Sequence, residues 1–303
     1  MLRRLWAVAL PAGLVVVVLI LPWLWRQGMI DLPPLAVRSM GRVAGLVSVG
    51  SAATAELPVT WHRQEHSLSC EIAALKMALS GVGVAVEESE LLAALPFDST
   101  PKKGGVWGDP HQGFVGDIDG EMFADGYGVH WEPIARLGLR WRRTEVIEEA
   151  SAAEVAEHIA AGRPVIMWGY FGRGRVGTWR TPAGRTIRAV DGEHTRVVVG
   201  FSGPITAPTS FILFDPLFGS LTWPVEKFMA NWSRLGYAGV VVYPQPRWVR
   251  ADGTGQVWEI SPDGTARRWV RDWDDFLASG GYKEAIMVID EEELARYTRG
   301  PDV

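Results

Sequence analysis

A single cysteine, Cys70, sits in the stretch RQEHSLSCEIAALKMAL (residues 63–79), where a helical pattern begins. One thiol in the whole chain leaves no intrachain disulfide to form, so the residue is either a small buried hydrophobe or a nucleophile. Ile72, Leu75 and Leu79 recur at helical spacing, which predicts a helix over 70–80 with Gly81 as its C-cap. A thiol at the helix N-terminus meets unpaired N–H groups and the positive end of the helix dipole, and both favour the thiolate. Alkylation of Cys70 is therefore expected to persist below the ordinary thiol pKa of about 8.5.

A thiol nucleophile needs a histidine within hydrogen-bond reach and a third group to orient that histidine. Of the six histidines, His194 opens the strand-like run TRVVVGF (195–201), and a second run, SFILF (210–214), ends at Asp215 and Pro216. Pairing of the two runs as an antiparallel hairpin sets the start of the first beside the end of the second, bringing His194 and Asp215 to one sheet end. Read singly, His194 is a strand-edge residue and Asp215-Pro216 a turn starter. His62 and His66 flank the cysteine segment, His158 lies on an amphipathic helix, and His111 and His130 lie in glycine-rich stretches. No HExxH or CxxC spacing occurs, so no metal or other cofactor is expected. The acidic run GDIDGEMFADG (116–126) departs from the calcium-loop pattern at its fifth and sixth places and reads as a solvated loop.

The elements that must carry these residues follow an α+β pattern, with a helix early and an antiparallel sheet late. Helices are predicted over 70–80, 87–95 and 151–161, the last ended by Gly162. Strands are predicted over 164–169, 195–201, 210–214 and 238–243, each a short β-branched or aromatic run between turn residues.

Composition bounds the partners. A net charge of −5 and the lack of a basic patch interleaved with aromatics leave nucleic acid without support as a partner. From Leu5 to Trp25 no residue is charged, a length matching the roughly 20 apolar residues a helix needs to cross a bilayer. Trp6, Trp23 and Trp25 stand near its ends, Arg3, Arg4 and Arg26 bracket it, and no small-residue cleavage site follows. The expectation is a single-pass anchor over 1–26, a linker over 27–57, and the bulk of the chain outside the cytoplasm.

Gln64 and Cys70 in QEHSLSC, GEHTRVVVGFS (192–202) and ILFDPLFG (212–219) together resemble the papain-fold cysteine peptidases. In particular the chain resembles cysteine peptidase family thirty-nine and its stand-alone, double-glycine leader peptidase-like relatives. VWGDPHQGFVGDI (106–118) and GRPVIMWGYF (162–171) are similar to a loop and a central strand carried by those relatives in this order. The likeness spans about Val59 to Tyr243. It implies a papain-like fold in which Cys70 is the nucleophile, His194 the general base and acid, Asp215 the orienter of His194, and Gln64 a donor to the oxyanion hole. Two departures stand out. Glu71 follows Cys70 where the transporter-linked peptidases usually carry glycine, and Thr195 and Arg196 follow His194 where small apolar residues are more usual. No GxxxxGK[ST] loop occurs after Tyr243, so an ATP-driven exporter is not encoded in this stretch.

The domain reading is then a peptidase domain over 58–245 and a small hairpin-and-helix module over 246–303. In that module Trp248, Trp258 and Trp269 are read as the core of a small sheet, with a sugar platform contacting the cell wall as the alternative. The expected function is a membrane-anchored extracytoplasmic cysteine peptidase acting on a peptide or protein substrate. The alternatives are a peptidase-like wall- or protein-binding module without turnover and a cysteine-dependent acyl transferase.

Overall fold

The computed structural model describes residues 54–300. The apolar run from Leu5 to Trp25 and most of the 27–57 spacer lie outside the described residues. Among the described residues no helix is long and apolar enough to cross a membrane.

In chain order, a short strand β1 (Ala55–Glu56) precedes helices α1 (Cys70–Ser80) and α2 (Glu88–Ala94). Strands β2 (Phe97–Asp98), β3 (Phe114–Gly116) and β4 (Gly126–Gly128) form a small sheet ahead of α3 (Trp131–Gly138) and β5 (Thr144–Ile147). Next come α4 (Ala152–Ala160), β6 (Val165–Tyr170) and a hairpin of β7 (Val176–Arg180) and β8 (Thr186–Val190). The central strands β9 (Glu193–Ser202), β10 (Ser210–Asp215) and β11 (Gly219–Pro224) lead into α5 (Val225–Trp232) and β12 (Gly239–Val242). The main sheet runs β11-β10-β9-β6-β12-β5 with every pairing antiparallel, and β1 adds to β9. The chain is thus a mixed α+β fold, and its last linker residues already belong to the sheet.

Strict alternation along the strands separates two cores. Val197 and Val199 of β9, Ile166 and Trp168 of β6, and Val240 and Val242 of β12 face α1, α2 and α3. Val198, Val165, Met167 and Val241 face the other way, toward α4 and α5. Because helices cover both faces, β9 is buried at all ten positions: Val197, Val198 and Val199 run without polar alternation, and Glu193 to Arg196 are buried polar groups.

The helix bearing Cys70 is more deeply enclosed than its Ile72–Leu75–Leu79 stripe predicts: nine of its eleven residues are buried. A helix that is apolar all round belongs inside a fold, and the small side chains of Ala73, Ala74 and Ala78 let neighbours approach on every side. Its C-cap is Gly81 as expected, but in the right-handed region. Glycine is needed there for space, since a Cβ would lie 2.6 Å from Val59 Cγ2. At the end of α4, by contrast, Gly162 takes the left-handed φ of +77° that glycine supplies, and Ser151 Oγ caps the other end by accepting the Glu154 N–H at 3.2 Å.

The C-terminal part forms a separate sheet from β13 (Trp248–Ala251), β14 (Val257–Ile260), β15 (Ala266–Val270), β16 (Ile286–Ile289) and β17 (Thr298–Arg299), with α6 (Trp273–Ala278) and α7 (Glu291–Ala295). Its central pairs are antiparallel hairpins, whereas the outer strands β16 and β17 return parallel to β13 and β15. Trp248 packs with Leu139, Phe276 and Ala285, and Trp258 and Trp269 pack with Val249, Ile260 and Leu294. Trp248 and Trp258 are buried in these cores, and Trp269 packs partly buried against one of them. The same Leu139 contact, with an Arg143 Nη1 to Ile260 carbonyl hydrogen bond of 2.8 Å, ties the module to the main body.

Candidate active site

Cys70 is the first residue of α1 and is buried. The segment before it, residues 61–69, crosses the end of the main sheet and is pinned from two sides. Trp61 Nε1 donates to the Asp215 carbonyl at 2.8 Å, and the Gln64 N–H donates to the Pro216 carbonyl at 3.1 Å. On the other side Glu88, fully buried at the start of α2, accepts hydrogen bonds from Ser69 Oγ and the Glu65 N–H and pairs with His62 Nε2 at 2.7 Å. A buried carboxylate supplied with several donors holds an irregular loop in one conformation, and this brace fixes the approach to Cys70.

The hairpin expected from the sequence forms. β9 and β10 pair antiparallel with a bulge between Ile212 and Leu213, which sets Asp215 against the start of β9. His194 Nε2 bonds Asp215 Oδ1 at 3.0 Å, leaving Nδ1 as the ring's acceptor when Nε2 carries the proton. Asp215 Oδ1 also accepts the N–H groups of Leu217 and Phe218. Its second oxygen, Oδ2, accepts from Arg196 Nε at 2.7 Å, and the Arg196 guanidinium lies over the Trp223 ring. Arg196, one of the two departures from the family pattern, is therefore the buried counter-ion of Asp215.

Burial alone would raise the Asp215 carboxyl, but the charges of His194 and Arg196 and the donated hydrogen bonds overcome it and hold the group well below the usual carboxylate range. Burial lowers His194 below its ordinary value; Asp215 opposes this and Arg196 adds to it. A neutral imidazole fixed by an ionised carboxylate can accept a proton.

The other departure lies at the thiol. Glu71 is buried within α1, its Oε1 accepting the Val129 N–H at 2.7 Å. Its Oε2 accepts the Cys70 S–H at 3.3 Å, and the thiol makes no hydrogen bond to His194. Glu193, one residue before His194, projects from the opposite face of β9 toward α1, and Thr195 does the same. A ligand atom each from Cys70, Glu71 and Glu193 falls within 4.8 Å of the other two. Gly128 leaves room for the pair, because a Cβ there would stand 2.4 Å from Glu71 Oε1 and 3.1 Å from Glu193 Oε2.

This corrects the expectation of an activated thiol drawn from the helix N-terminus alone. Burial, and after it the charges of Glu71 and Glu193, push the Cys70 thiol well above its ordinary range, with Thr195 acting in the opposite direction. Burial likewise raises Glu71 to about 7 and, together with Glu71, raises Glu193. Two carboxylates and a fully desolvated thiol outweigh a helix dipole worth roughly 0.3–1 kcal/mol.

Gln64 lines the same cleft as Cys70 and His194, a space of about 860 Å³. Its amide nitrogen donates to the carbonyls of His66 and Ser67 at 2.8 and 2.9 Å, while Oε1 is buried without a partner. Both amide protons are thus engaged by its own loop, and a substrate oxyanion must draw one of them away. The Cys70 N–H, in the first turn of α1, belongs to the donors that a helix leaves unpaired internally.

Residues 56–240 match the Peptidase_C39 like family. The chain belongs to this family. It is similar to the uncharacterized protein YvpB of Bacillus subtilis (strain 168), 26% identical over 182 residues that cover 57% of this chain and 68% of that one. Among solved structures it is similar to a putative C39-like peptidase from Bacillus anthracis, with a TM-score of 0.54 and 25% identity over 62% of this chain and 96% of that one. The matched region holds the segment 61–69, α1, β9 and β10, so every residue described above falls within it.

Sequence reasoning passed over Glu193, Glu88 and the pairing role of Arg196. The signal for Glu71 and Arg196 was present in their departure from the family pattern. For Glu193 it lay in alternation: a residue adjacent to His194 must face the opposite side, which is the side of α1.

Proposed function

We propose that the protein is a membrane-anchored cysteine peptidase whose catalytic domain faces the outside of the cytoplasm. The observation that carries this is the convergence of Cys70, Gln64 and the His194–Asp215 pair on one cleft in a chain of the C39-like peptidase family. In this reading His194 takes the thiol proton, Cys70 Sγ attacks the scissile carbonyl, and the Cys70 N–H and Gln64 stabilise the oxyanion. Protonated His194 then returns its proton to the leaving amine, and water hydrolyses the thioester. Asp215 and Arg196 keep the imidazole oriented throughout.

In this reading the thiol bonded to Glu71 is the resting state, and the sulfur must turn from Glu71 into the cleft that His194 also lines before its proton can pass to the imidazole. Acidic Glu65, Asp119, Glu121 and Asp191 also line the cleft, with Arg63 as its arginine, which favours peptides of positive charge. The 21 uncharged residues from Leu5 to Trp25 support the anchor.

The test is turnover of a cationic fluorogenic peptide library by the full-length protein. Cys70→Ala and His194→Ala are expected to abolish cleavage, and Asp215→Ala to reduce it less, because an orienting group makes no bond itself. Cleavage that survives Cys70→Ala sinks the reading. A folded wild type that binds peptides without cleaving them favours the binding-module alternative, supported by the Cys70–Glu71 hydrogen bond.

A further inference from the structure

Glu193 is 1% exposed, and neither of its carboxylate oxygens has a hydrogen-bond partner. An unpaired buried carboxylate costs several kcal/mol unless something compensates it. The Arg196 guanidinium, whose Nε is bonded to Asp215, acts on Glu193 through its charge alone and leaves both carboxylate oxygens without a hydrogen bond. What Glu193 does face is a second buried carboxylate, Glu71, and the Cys70 sulfur, with one ligand atom of each inside a 4.8 Å sphere of mutual distances. Three donors that a metal ion would hold deprotonated converge here, and one of them has no hydrogen-bond partner at all, which describes an incomplete coordination shell.

We propose that Cys70, Glu71 and Glu193 bind a zinc ion that masks the nucleophile. A thiolate with two carboxylates selects a borderline-soft divalent cation over calcium or magnesium, which prefer all-oxygen shells. Around tetrahedral zinc, sulfur at about 2.3 Å and oxygens at about 2.0–2.2 Å lie roughly 3.5 Å apart, a separation that Cys70 Sγ and Glu71 Oε2 already have at 3.3 Å, so Glu193 is the ligand that moves in to bind. Gly128 supplies the space for both carboxylates, and the Val129 N–H orients Glu71 through Oε1 as an outer-shell donor. The fourth position points to the cleft, which Cys70 and Glu193 line, and takes water. On binding, the Cys70 S–H proton leaves to solvent as the Sγ–Zn bond forms, with no change of oxidation state. Masking of catalysis rests on the peptidase reading above, whereas binding itself does not.

The test uses full-length protein in mild detergent, reduced and stripped with a chelator, then titrated with Co²⁺ and Zn²⁺. One Co²⁺ per chain is expected to give a near-ultraviolet thiolate-to-metal charge-transfer band that Zn²⁺ abolishes by displacement. Zn²⁺, but not Mg²⁺, should slow alkylation of Cys70 by at least tenfold. Cys70→Ser should lose the band, and Glu193→Gln should weaken Zn²⁺ binding by about tenfold or more. His158→Asn, on α4 at the other face of the sheet from α1, should leave the band unchanged. Absence of the band, or Zn²⁺ affinity indifferent to Cys70→Ser, overturns the proposal. If Glu193→Gln does not fold, protection of the wild-type thiol by Zn²⁺ over Mg²⁺ still decides. A protein that cleaves no peptide yet binds zinc through Cys70 defeats the peptidase reading and leaves this one standing.

Discussion

The Cys70 thiol donates its hydrogen bond to Glu71 Oε2, the carboxylate of the next residue along the same helix, at 3.3 Å. With an oxygen of Glu193 also within 4.8 Å, the sulfur of a peptidase-family chain thus lies among acids, while the imidazole of His194 is bonded to Asp215. This arrangement sets what the thiol does in the absence of substrate.

Iodoacetamide labelling of the folded wild type is expected to be slow at pH 7 and to rise only above the ordinary thiol range, because burial and the two carboxylates hold the proton on sulfur. Glu71→Gln removes one of those charges and should accelerate labelling at pH 7 by about tenfold, the effect of one pKa unit. Labelling rates for the two proteins across pH 6 to 10 check this. Equal rates would mean that burial alone controls the thiol.

Glu71 also makes stability depend on pH. Its carboxyl ionises near 7 in the folded chain against 4.5 when free, so the unfolded chain gives up this proton first. The contribution from Glu71 is largest below pH 4.5, is lost between about 4.5 and 7, and stays lost above. Glu71→Gln should therefore raise Tm at pH 8, by about 5 °C, and change it little at pH 5. Scanning calorimetry at the two values reads the difference.

Arg196 is the buried partner of Asp215. Removing one member of such a pair leaves the other uncompensated, and Arg196→Met is expected to cost about 3 kcal/mol in denaturant unfolding. A merely structural role would stop there. Because Arg196 also helps to lower His194, the His194 ring should titrate at higher pH in Arg196→Met, followed by NMR. Arg196→Lys should restore part of that change, by keeping the charge without the planar fork.

Membrane attachment is checked by fractionation. Full-length protein should sediment with membranes and resist salt extraction, and a chain starting at Thr54 should remain in the supernatant. A mature form beginning after residue 26 would show instead that the apolar segment is cleaved.

The helix of Cys70, the strands from 165 and 193, and the hairpin that joins His194 to Asp215 were legible in the amino-acid order. Each is a local pattern with its own punctuation, such as Gly162 after α4 or the Asp215-Pro216 turn. Helix α5, the hairpin β7–β8 and the parallel outer strands of the C-terminal sheet were not, because short elements take their state from what they pack against. The tertiary structure also decided which acids meet the thiol. Glu71 and Glu193 are 122 positions apart, and they converge only because β9 lies beneath α1 with Glu193 on the facing side. The same alternation turns His194 and Arg196 to Asp215. Sequence alone therefore placed a cysteine, a histidine and an aspartate at the stations that a nucleophile, a base and an orienting acid would need. The protonation of the thiol followed from burial and from charges that only the packing of a helix on a strand could assemble.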